Sequence, residues 1–446
     1  MWERLFHLSE SRTDLRTELL AGVTTFLTMA YIVFVQPAVL STDLAGKPTG
    51  LDFGAVLVAT CLASAFASIF MGLFARYPIA LAPGMGENFF FVSVLMGLAS
   101  LGVANPGQTA LGMVFISGVV FIFLTLIRVR EAVIDAISPS MRNGIAVGIG
   151  LFIAFIGLRN GAVIVARPGT LLGLNAHLAS ADAAVFTLGL VTAGVLLVRR
   201  ARGALLWGIL ASAGLALLLG KVQFGGVLGL PVVHQRAAFA MDLAGALRPA
   251  LVPFIIVFLF MGLFDTVGTL IAVAEQANLL EQDKLPRANR ALLVDATGIT
   301  LGACLGTSTV TCYIESAAGV AVGGRTGLTS VVAGTLFLLA LLFGPLIGMI
   351  GNCPPVTAPA LVLVGTMMMQ NARKIEWGDY SESIPAFLVI VGIPLSYSIA
   401  DGLALGFVSF PVIKLLAGRT RDVRWLSYLM AALLVLYFLF VRSRLG

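Results

Sequence analysis

Long apolar blocks separated by short polar stretches run along most of the chain. Because a helix that crosses a bilayer needs roughly 20 apolar residues, each block predicts a membrane span. The clear blocks of the first half are Leu19–Val39, Ala55–Leu73, Thr109–Ile127, Ile145–Leu158, Ala183–Val198 and Ala204–Leu219. Those of the second half are Leu251–Ala274, Ala291–Leu305, Leu328–Ile350, Ala358–Met369, Ile384–Ile399 and Leu403–Leu416.

Two further blocks begin with helix-breaking or hydroxyl residues and become apolar only afterwards. Leu81–Leu98 opens with LAPGMGENFFF, and Gly306–Gly323 reads GTSTVTCYIESAAGVAVG. Each of them is the third block of its half of the chain. Interrupted segments at corresponding positions indicate a transporter built from inverted repeats, with its binding site at the broken helices.

This order predicts an all-α polytopic membrane protein of about fourteen spans in two inverted seven-helix repeats. The first repeat is predicted over residues 1–222, an extracellular or periplasmic connection over 223–250, and the second repeat over 251–417. Residues 418–446 contain a last apolar block, Trp425–Phe440. That block is either an extra span or a helix lying in the membrane interface.

The composition agrees with a membrane protein. Of 446 residues, 59% are hydrophobic and only 11% are charged, and the mean hydropathy is +1.01. Soluble globular chains carry about 25% charged residues. A soluble enzyme, a disordered protein and a nucleic-acid binder are therefore excluded, and membrane lipid is the expected surrounding.

The positions of the basic residues set the orientation. Twenty of the 28 Lys and Arg residues fall in segments that lie on one side of the membrane if the N-terminus is cytoplasmic, as the positive-inside rule requires. The N-terminal stretch MWERLFHLSESRTDLRTE lacks the continuous apolar core of a cleavable signal. We therefore expect a multi-pass protein of the cell membrane with a cytoplasmic N-terminus.

No cofactor or metal is predicted. The four cysteines form no CxxC pair, and the three histidines fall outside the clear spans. The glycines are dispersed through apolar spans, where small residues allow close helix packing, and they form no phosphate-binding loop. A coupled proton would therefore have to use carboxylates, and neither an enzyme nor an ATP-driven pump is indicated.

Two carboxylates stand out at membrane depth, where a charge costs about 2.5 kcal/mol or more. Asp265 lies in FIIVFLFMGLFDTVGTLIAVA, far from either interface. Glu315 follows GTSTVTCYI, where an unwound segment becomes a helix and free N–H groups favour a negative charge. Glu18 is expected at a solvated helix end, and Asp295 and Asp401 are expected to be structural.

The first interrupted block offers a third polar position. Asn88 carries both an amide donor and an acceptor, at the place that matches Glu315 in the other repeat. Glu87 is adjacent but points about 100° away along a helix. We expect it not to touch the substrate directly, but to contact a neighbouring span or line the water path between core and gate. Phe89, followed by Phe90 and Phe91, offers aromatic faces on which a planar heterocycle would stack.

The sequence resembles a known family. The motifs LLAGVTTFLTMAYIVFVQP, LAPGMGxN, FDTVGTL, GTSTVTCYIESAAGVAVGGRTGLTS and IPLSYSIADGLALG are similar to those of the AzgA-like purine permeases of the nucleobase-ascorbate transporter family. The resemblance covers nearly the whole chain in the right order. It implies fourteen spans divided into a core domain and a gate domain, a homodimer, and import of adenine, guanine or hypoxanthine with protons.

The resemblance also implies a set of substrate-binding residues. The eighth-span acid of the family corresponds to Asp265, its tenth-span glutamate to Glu315 and its third-span asparagine to Asn88. The predicted set also includes three residues of the same motifs, Phe89, Phe264 and Ser316. The departure lies at Glu87 and Phe89, since the family usually reads GMGLNA there. An extra acid next to the third-span turn leaves the substrate preference and the coupling stoichiometry open.

A purine suits two carboxylates in chemical terms. The ring N–H groups of guanine and hypoxanthine, with the exocyclic amine of guanine, can donate in parallel to one carboxylate, a strong charge-assisted geometry. Two neighbouring acids repel each other, and one proton relieves the repulsion. Asp265, Glu315 and Glu87 are therefore the candidate proton carriers.

Other functions were weighed against this one. A pyrimidine or ascorbate carrier on the same fold is the nearest alternative. An anion exchanger of the sulfate-permease type is disfavoured because Asp265 and Glu315 would repel its substrate. A channel or a membrane-embedded enzyme is disfavoured by the interrupted repeats and by the lack of a nucleophile–base pair or metal cluster in the sequence.

Overall fold

The computed structural model describes residues 2–43, 46–127, 138–167, 171–235, 237–277, 279 and 285–436. The first half contains α1 (Trp2–Phe6), α2 (Leu15–Met29), α3 (Ile32–Ser41), α4 (Phe53–Phe70), β1 (Leu81–Pro83), α5 (Met85–Ser100), α6 (Pro106–Leu126), α7 (Pro139–Asn160), β2 (Ile164–Arg167), β3 (Leu171–Leu174), α8 (Ala181–Val198) and α9 (Ala204–Leu218). A π-helical turn, Met71–Ala75, extends α4.

The second half repeats this order of elements. It contains α10 (Leu243–Ala246), α11 (Val252–Gln276), α12 (Ala288–Leu305), β4 (Val310–Cys312), α13 (Ser316–Val322), α14 (Gly327–Ala340), α15 (Gly344–Gly351), α16 (Pro354–Met368), α17 (Tyr380–Ser396), α18 (Ile399–Leu416) and α19 (Trp425–Leu436). Short 3₁₀ turns occur at Pro249–Leu251, Met369–Lys374 and Thr420–Asp422.

Several of these helices are long enough to cross a bilayer by themselves. In the described part of the chain they are Leu15–Ser41, Phe53–Ala75, Pro106–Leu126, Pro139–Asn160, Ala181–Val198 and Pro249–Ala274. Shorter apolar helices are α5, α9, α14 and α17. Together with α12, α13, α18 and the bent pair α15–α16, they form the predicted series of seven plus seven spans. The chain is thus an all-α polytopic membrane protein.

One predicted span has different bounds in the structure. The block Leu328–Ile350 is apolar throughout, but α14 ends at Ala340 and α15 begins at Gly344. Gly344 and Pro345 follow the break, and proline favours the first turn of a new helix. A second break precedes Pro354, where the chain turns by 82° into α16. The eleventh span is therefore shorter than the apolar pattern indicates, and the twelfth is a bent pair.

The last helix is described only from Trp425 to Leu436. Those 12 residues would measure about 18 Å at 1.5 Å per residue, less than the roughly 30 Å of a hydrocarbon core. The rest of the predicted block lies outside the described residues. The extra span and the interfacial helix both stay predictions for this segment. The domain bounds at 222, 250 and 417 also stay predictions.

The two interrupted blocks meet at the centre of the protein. β1 pairs with β4 in antiparallel register, with Leu81 opposite Cys312 and Pro83 opposite Val310. Pro83 lacks an N–H group and its ring restricts the residue before it to extended conformations, so β1 is short and a helix follows at once. α5 follows β1 and α13 follows β4, which is the strand-plus-half-helix arrangement predicted for the third and tenth spans.

Helix contacts divide the spans into a core and a gate. In the core, α6 packs on α11 and α12, and α14 packs on α2 and α4. In the gate, α7 packs on α16 and α17, α8 on α9, and α17 on α18. The core domain therefore contains spans one to four and eight to eleven, and the gate domain contains the others. A small hairpin, β2–β3, connects α7 to α8 in the gate.

Glu18 is a buried structural residue, contrary to the expectation of a solvated helix end. Its side chain is fully buried. One carboxylate oxygen accepts from the backbone N–H groups of Arg325 (2.8 Å) and Thr326 (3.1 Å), and the other accepts from the Thr329 hydroxyl (2.6 Å). The second oxygen also accepts from the backbone N–H of Thr329 at 3.2 Å, one of the unpaired N–H groups in the first turn of α14. Glu18 thus joins α2 to α14 inside the core.

Candidate functional site

A cavity of about 1230 Å³ lies between the core and gate domains. Its core side includes Glu87 on α5, Asp265 on α11 and Glu315 before α13. Its gate side is mainly apolar, with residues of α7, α16 and α18 such as Ile149, Met368 and Phe407. The three carboxylates are the acidic residues of this lining. The structure thus brings together two predicted substrate-binding residues and the acid that is expected to line the path between core and gate.

The same cavity reaches a basic region. Arg200, Arg202, Arg373 and Lys374 belong to its lining, and all four fall in segments that the charge pattern places in the cytoplasm. The volume exceeds the roughly 300–1,000 Å³ typical of ligand pockets. It therefore includes a path between the carboxylates and one side of the protein.

Asp265 lies near the middle of α11, a helix with uncharged residues on both sides of it. The Thr311 hydroxyl of β4 donates to Asp265 Oδ2 at 3.2 Å. Although it is far from either end of the helix, Asp265 has an exposed side chain because it faces the cavity. This explains how the core tolerates a carboxylate at membrane depth.

Glu315 is the residue that immediately precedes α13. The Tyr31 hydroxyl donates to Glu315 Oε1 at 2.9 Å, and the Thr28 hydroxyl is 3.4 Å from the Glu315 backbone oxygen. The side chain is half-buried and lines the cavity. Tyr31 lies at the break between α2 and α3. A residue at the interruption of the first span therefore orients the carboxylate of the tenth span.

Glu87 occupies the first turn of α5, and only 3% of the residue is exposed. Its carboxylate folds back over the start of the helix, where a methyl group on Gly84 would overlap it. The same methyl would lie 2.9 Å from Thr311 Oγ1. Glu87 and Asp265 therefore both lie near one threonine hydroxyl. This position agrees with the expectation that Glu87 lines the path between core and gate.

Asn88 points into the core rather than into the cavity, which corrects the predicted orientation of this turn. The residue is fully buried, and its Oδ1 accepts a hydrogen bond from the Ser308 hydroxyl. Gln36 Nε2 in turn donates to Ser308 (2.9 Å) and to Thr307 (3.0 Å). Asn88 thus connects the first interrupted helix to the turn before β4. Its side chain does not line the cavity, so this conformation does not support its predicted role in substrate binding.

Phe89 and Ser316 are also absent from the cavity wall. Phe89 is 1% exposed and packs edge-on against Phe152 of the gate, with ring centroids 6.1 Å apart. Ser316 is fully buried, and its hydroxyl accepts from the backbone N–H of Ala80 at 3.0 Å. Both therefore hold elements in place in this conformation. The side chain of Phe264 lies outside the described residues.

Asp295 of α12 is fully buried, and neither of its carboxylate oxygens has a hydrogen-bond partner among the described residues. It does not line the cavity. Asp401 lies in the first turn of α18 and is 7% exposed. Among described residues, no group of three His, Cys, Asp or Glu side chains has a geometry suited to a metal ion.

Two residues that contact the predicted acids do not stand out in the sequence. Tyr31 lies in MAYIVFVQP and Thr311 lies in GTSTVTCYI, and each donates to one of the two predicted acids. Both are inside motifs that carry the family resemblance. A search for hydroxyl donors near membrane acids would have selected Thr311, whereas Tyr31 is 284 positions from its partner Glu315 and gives no local signal.

Comparison with known proteins agrees with this architecture. The Permease family profile matches residues 16–405. The adenine permease AdeP of Escherichia coli is 43% identical over 442 residues, covering 99% of this chain and 96% of AdeP. The guanine/hypoxanthine permease PbuG of Bacillus subtilis is 42% identical over 446 residues, covering 98% of this chain and 99% of PbuG. The resemblance predicted from the motifs is confirmed.

The fold also has a solved counterpart. The transmembrane domain of the cyanobacterial bicarbonate transporter BicA superimposes with a TM-score of 0.63 at 16% identity, covering 88% of this chain and 97% of that domain. At this identity the likeness shows the fold alone. Together the matches identify a multi-pass membrane protein and indicate a transporter rather than an enzyme.

Proposed function

Because the chain belongs to the Permease family, whose profile it matches over residues 16–405, we propose that it carries purine nucleobases across the cell membrane. The observation that supports this most is the cavity between core and gate with Asp265 and Glu315 in its wall. Relatives that match nearly end to end are named adenine permease and guanine/hypoxanthine permease.

The two acids suit the hydrogen-bonding groups of a purine. An ionised carboxylate accepts hydrogen bonds and donates none. Two parallel N–H donors can bind one carboxylate in the bidentate manner. Tyr31 and Thr311 each donate to one oxygen, which orients both carboxylates and leaves their other oxygens available. Guanine and hypoxanthine present more ring N–H groups than adenine does, so we favour them, and adenine remains an alternative substrate.

The proposed cycle is alternating access coupled to protons. The site lies at the contact between two rigid groups of helices, so rocking of one group against the other would expose the site to each side in turn. In this conformation the cavity extends to Arg200 and Lys374, which corresponds to the cytoplasmic side if the N-terminus is cytoplasmic. Asp265, Glu315 and Glu87 are the candidate proton carriers, and a homodimer stays a prediction.

Binding of a panel of bases to the purified protein tests the substrate class. We expect labelled hypoxanthine to bind, guanine and adenine to compete, and uracil and ascorbate not to compete. Glu315→Gln should weaken hypoxanthine binding at least tenfold, because hydrogen bonds to a charged acceptor contribute about 1.5–3 kcal/mol. Glu376→Gln, at an exposed glutamate outside the cavity, is the matched control and should leave binding unchanged.

Two outcomes would contradict parts of this proposal. Competition by uracil but not by purines would support the pyrimidine carrier on the same fold. Equal affinities of the Glu315→Gln and Glu376→Gln proteins would show that Glu315 is not a substrate ligand, even if purines bind.

A further inference from the structure

The third carboxylate of the cavity has no assigned role in binding. Glu87 lies in the first turn of α5. Its carboxylate and the Thr311 hydroxyl, which donates to Asp265, both lie next to the Cβ position of Gly84. Two acids from different repeats therefore lie near one hydroxyl group. The site presents two neighbouring sets of acceptor oxygens here, with a third set at Glu315.

Four hydroxyl groups near these acids already donate within the protein. Thr311 and Tyr31 donate to Asp265 and Glu315. Thr24 and Thr28, which line the same cavity, donate to backbone carbonyls of their own helix, Thr24 to Leu20 at 2.8 Å and Thr28 to Thr25 at 2.8 Å. The surroundings of the three acids are therefore rich in acceptors. A ligand that fits them must be rich in N–H donors.

Two polar side chains of the interrupted segments that could have supplied donors face elsewhere. The Asn88 amide lies within the core network, with Nδ2 3.9 Å from Met85 Sδ. The Ser316 hydroxyl is fully buried behind β1. Neither residue belongs to the cavity lining. A purine whose binding edge carries mainly lone pairs would find few complementary groups at this place.

We infer that Glu87 is a specificity-determining residue that accepts a hydrogen bond from the 2-amino group of a 2-aminopurine base such as guanine. This inference rests on the proposed purine transport. One N–H of a 2-amino group is parallel to the ring N1–H and can share a bidentate carboxylate with it, and the other points to the side. In this arrangement Asp265 accepts the N1–H and one N–H of the amine, and Glu87, which lies near the Thr311 hydroxyl that donates to Asp265, accepts the other N–H. Glu315 then accepts from the imidazole N–H on the opposite edge of the base, and hypoxanthine, which lacks the amine, leaves Glu87 unused.

Two pairs of bases isolate the amino group. Guanine differs from hypoxanthine, and 2,6-diaminopurine differs from adenine, only by the 2-amino group. Dissociation constants of all four bases are to be measured for the purified wild-type protein, Glu87→Gln, Glu87→Leu and the exposed control Glu376→Gln. Retained hypoxanthine binding reports that each variant is folded.

In the wild-type protein we expect the 2-amino member of each pair to bind about tenfold more tightly or better, as one charge-assisted hydrogen bond provides. Glu87→Leu should remove this preference in both pairs and leave hypoxanthine and adenine within about threefold. Glu87→Gln, which keeps one acceptor oxygen without the charge, should fall between the two.

Specific results would overturn the inference. A Glu87→Leu protein that loses affinity for both members of each pair equally, or for neither, would show that Glu87 does not recognise the amine. An equal shift in the pH dependence of all four bases, with the preference intact, would show that Glu87 only handles protons. A wild-type protein that binds no purine would contradict the proposed function and this inference together.

Discussion

Tyr31 donates a hydrogen bond to Glu315 across 2.9 Å, and each residue lies where its helix is interrupted. Tyr31 separates α2 from α3, and Glu315 separates β4 from α13. The bond therefore connects the two repeats at the cavity wall. It fixes the position of one oxygen of a carboxylate that we propose as a purine acceptor.

Loss of this hydroxyl should weaken binding without abolishing it. In Tyr31→Phe the ring still fills its buried position, but Glu315 loses one donor, which typically changes a free energy by about 0.5–1.5 kcal/mol. We expect a rise in the hypoxanthine dissociation constant of roughly threefold to tenfold. Direct binding measurements on the purified variant provide the check. An unchanged constant would show that Tyr31 does not orient the ligand.

Asp265 is the acid for which binding and coupling can be separated. Asp265→Asn keeps the shape of the side chain but cannot carry a proton. We expect exchange of labelled for unlabelled purine across a membrane to persist in part, while accumulation against a gradient is lost. Proteoliposome assays of both processes compare the variant with wild type. Retained accumulation in the variant would exclude Asp265 as the proton carrier.

Asn88 should affect stability more than affinity. Asn88→Ala removes the acceptor of the Ser308 hydroxyl and leaves buried polar groups unpaired, at a cost of about 1–3 kcal/mol. We expect a lower melting temperature, measured in detergent, and a hypoxanthine affinity within about threefold of wild type. A large loss of affinity at an unchanged melting temperature would instead place Asn88 against the substrate in another conformation.

Gly84 is required by close packing rather than by backbone angles. Its φ of −70° and ψ of 132° are accessible to any residue, but a methyl group would overlap the Glu87 carboxylate and lie 2.9 Å from Thr311. Gly84→Ala should therefore displace Glu87 and abolish the preference for guanine over hypoxanthine in binding measurements. Gly97→Ala, inside α5 at a position where nothing lies within 4 Å of the Cβ position, is the matched control. The same preference in the two variants would refute this packing argument.

The sequence predicted the spans, the interrupted segments and the two central acids, because these depend on local properties. A carboxylate such as Asp265, with a long run of uncharged residues on both sides of it in the sequence, must face protein or a cavity in any fold. The break before Gly344 was missed because it interrupts a block that is uniformly apolar, and hydropathy does not register a change of helix direction.

The orientation of the third-span turn could not be read from the sequence. Helical geometry established that Glu87 and Asn88 point in different directions, but not which of them faces the cavity. That choice depends on the pairing of β1 with β4, in which Leu81 lies opposite Cys312, and on the hydrogen bond from Ser308 to Asn88. Both contacts join residues more than 200 positions apart, so no local pattern could reveal them.

Uptake of labelled hypoxanthine into proteoliposomes under an inwardly directed proton gradient is the most direct test of purine transport by this protein. We predict concentrative uptake that a protonophore collapses, that excess guanine inhibits and uracil does not, and that Glu315→Gln abolishes while Glu376→Gln does not. Uptake of uracil in place of purines, or no uptake of any base by well-folded wild-type protein, would contradict the account.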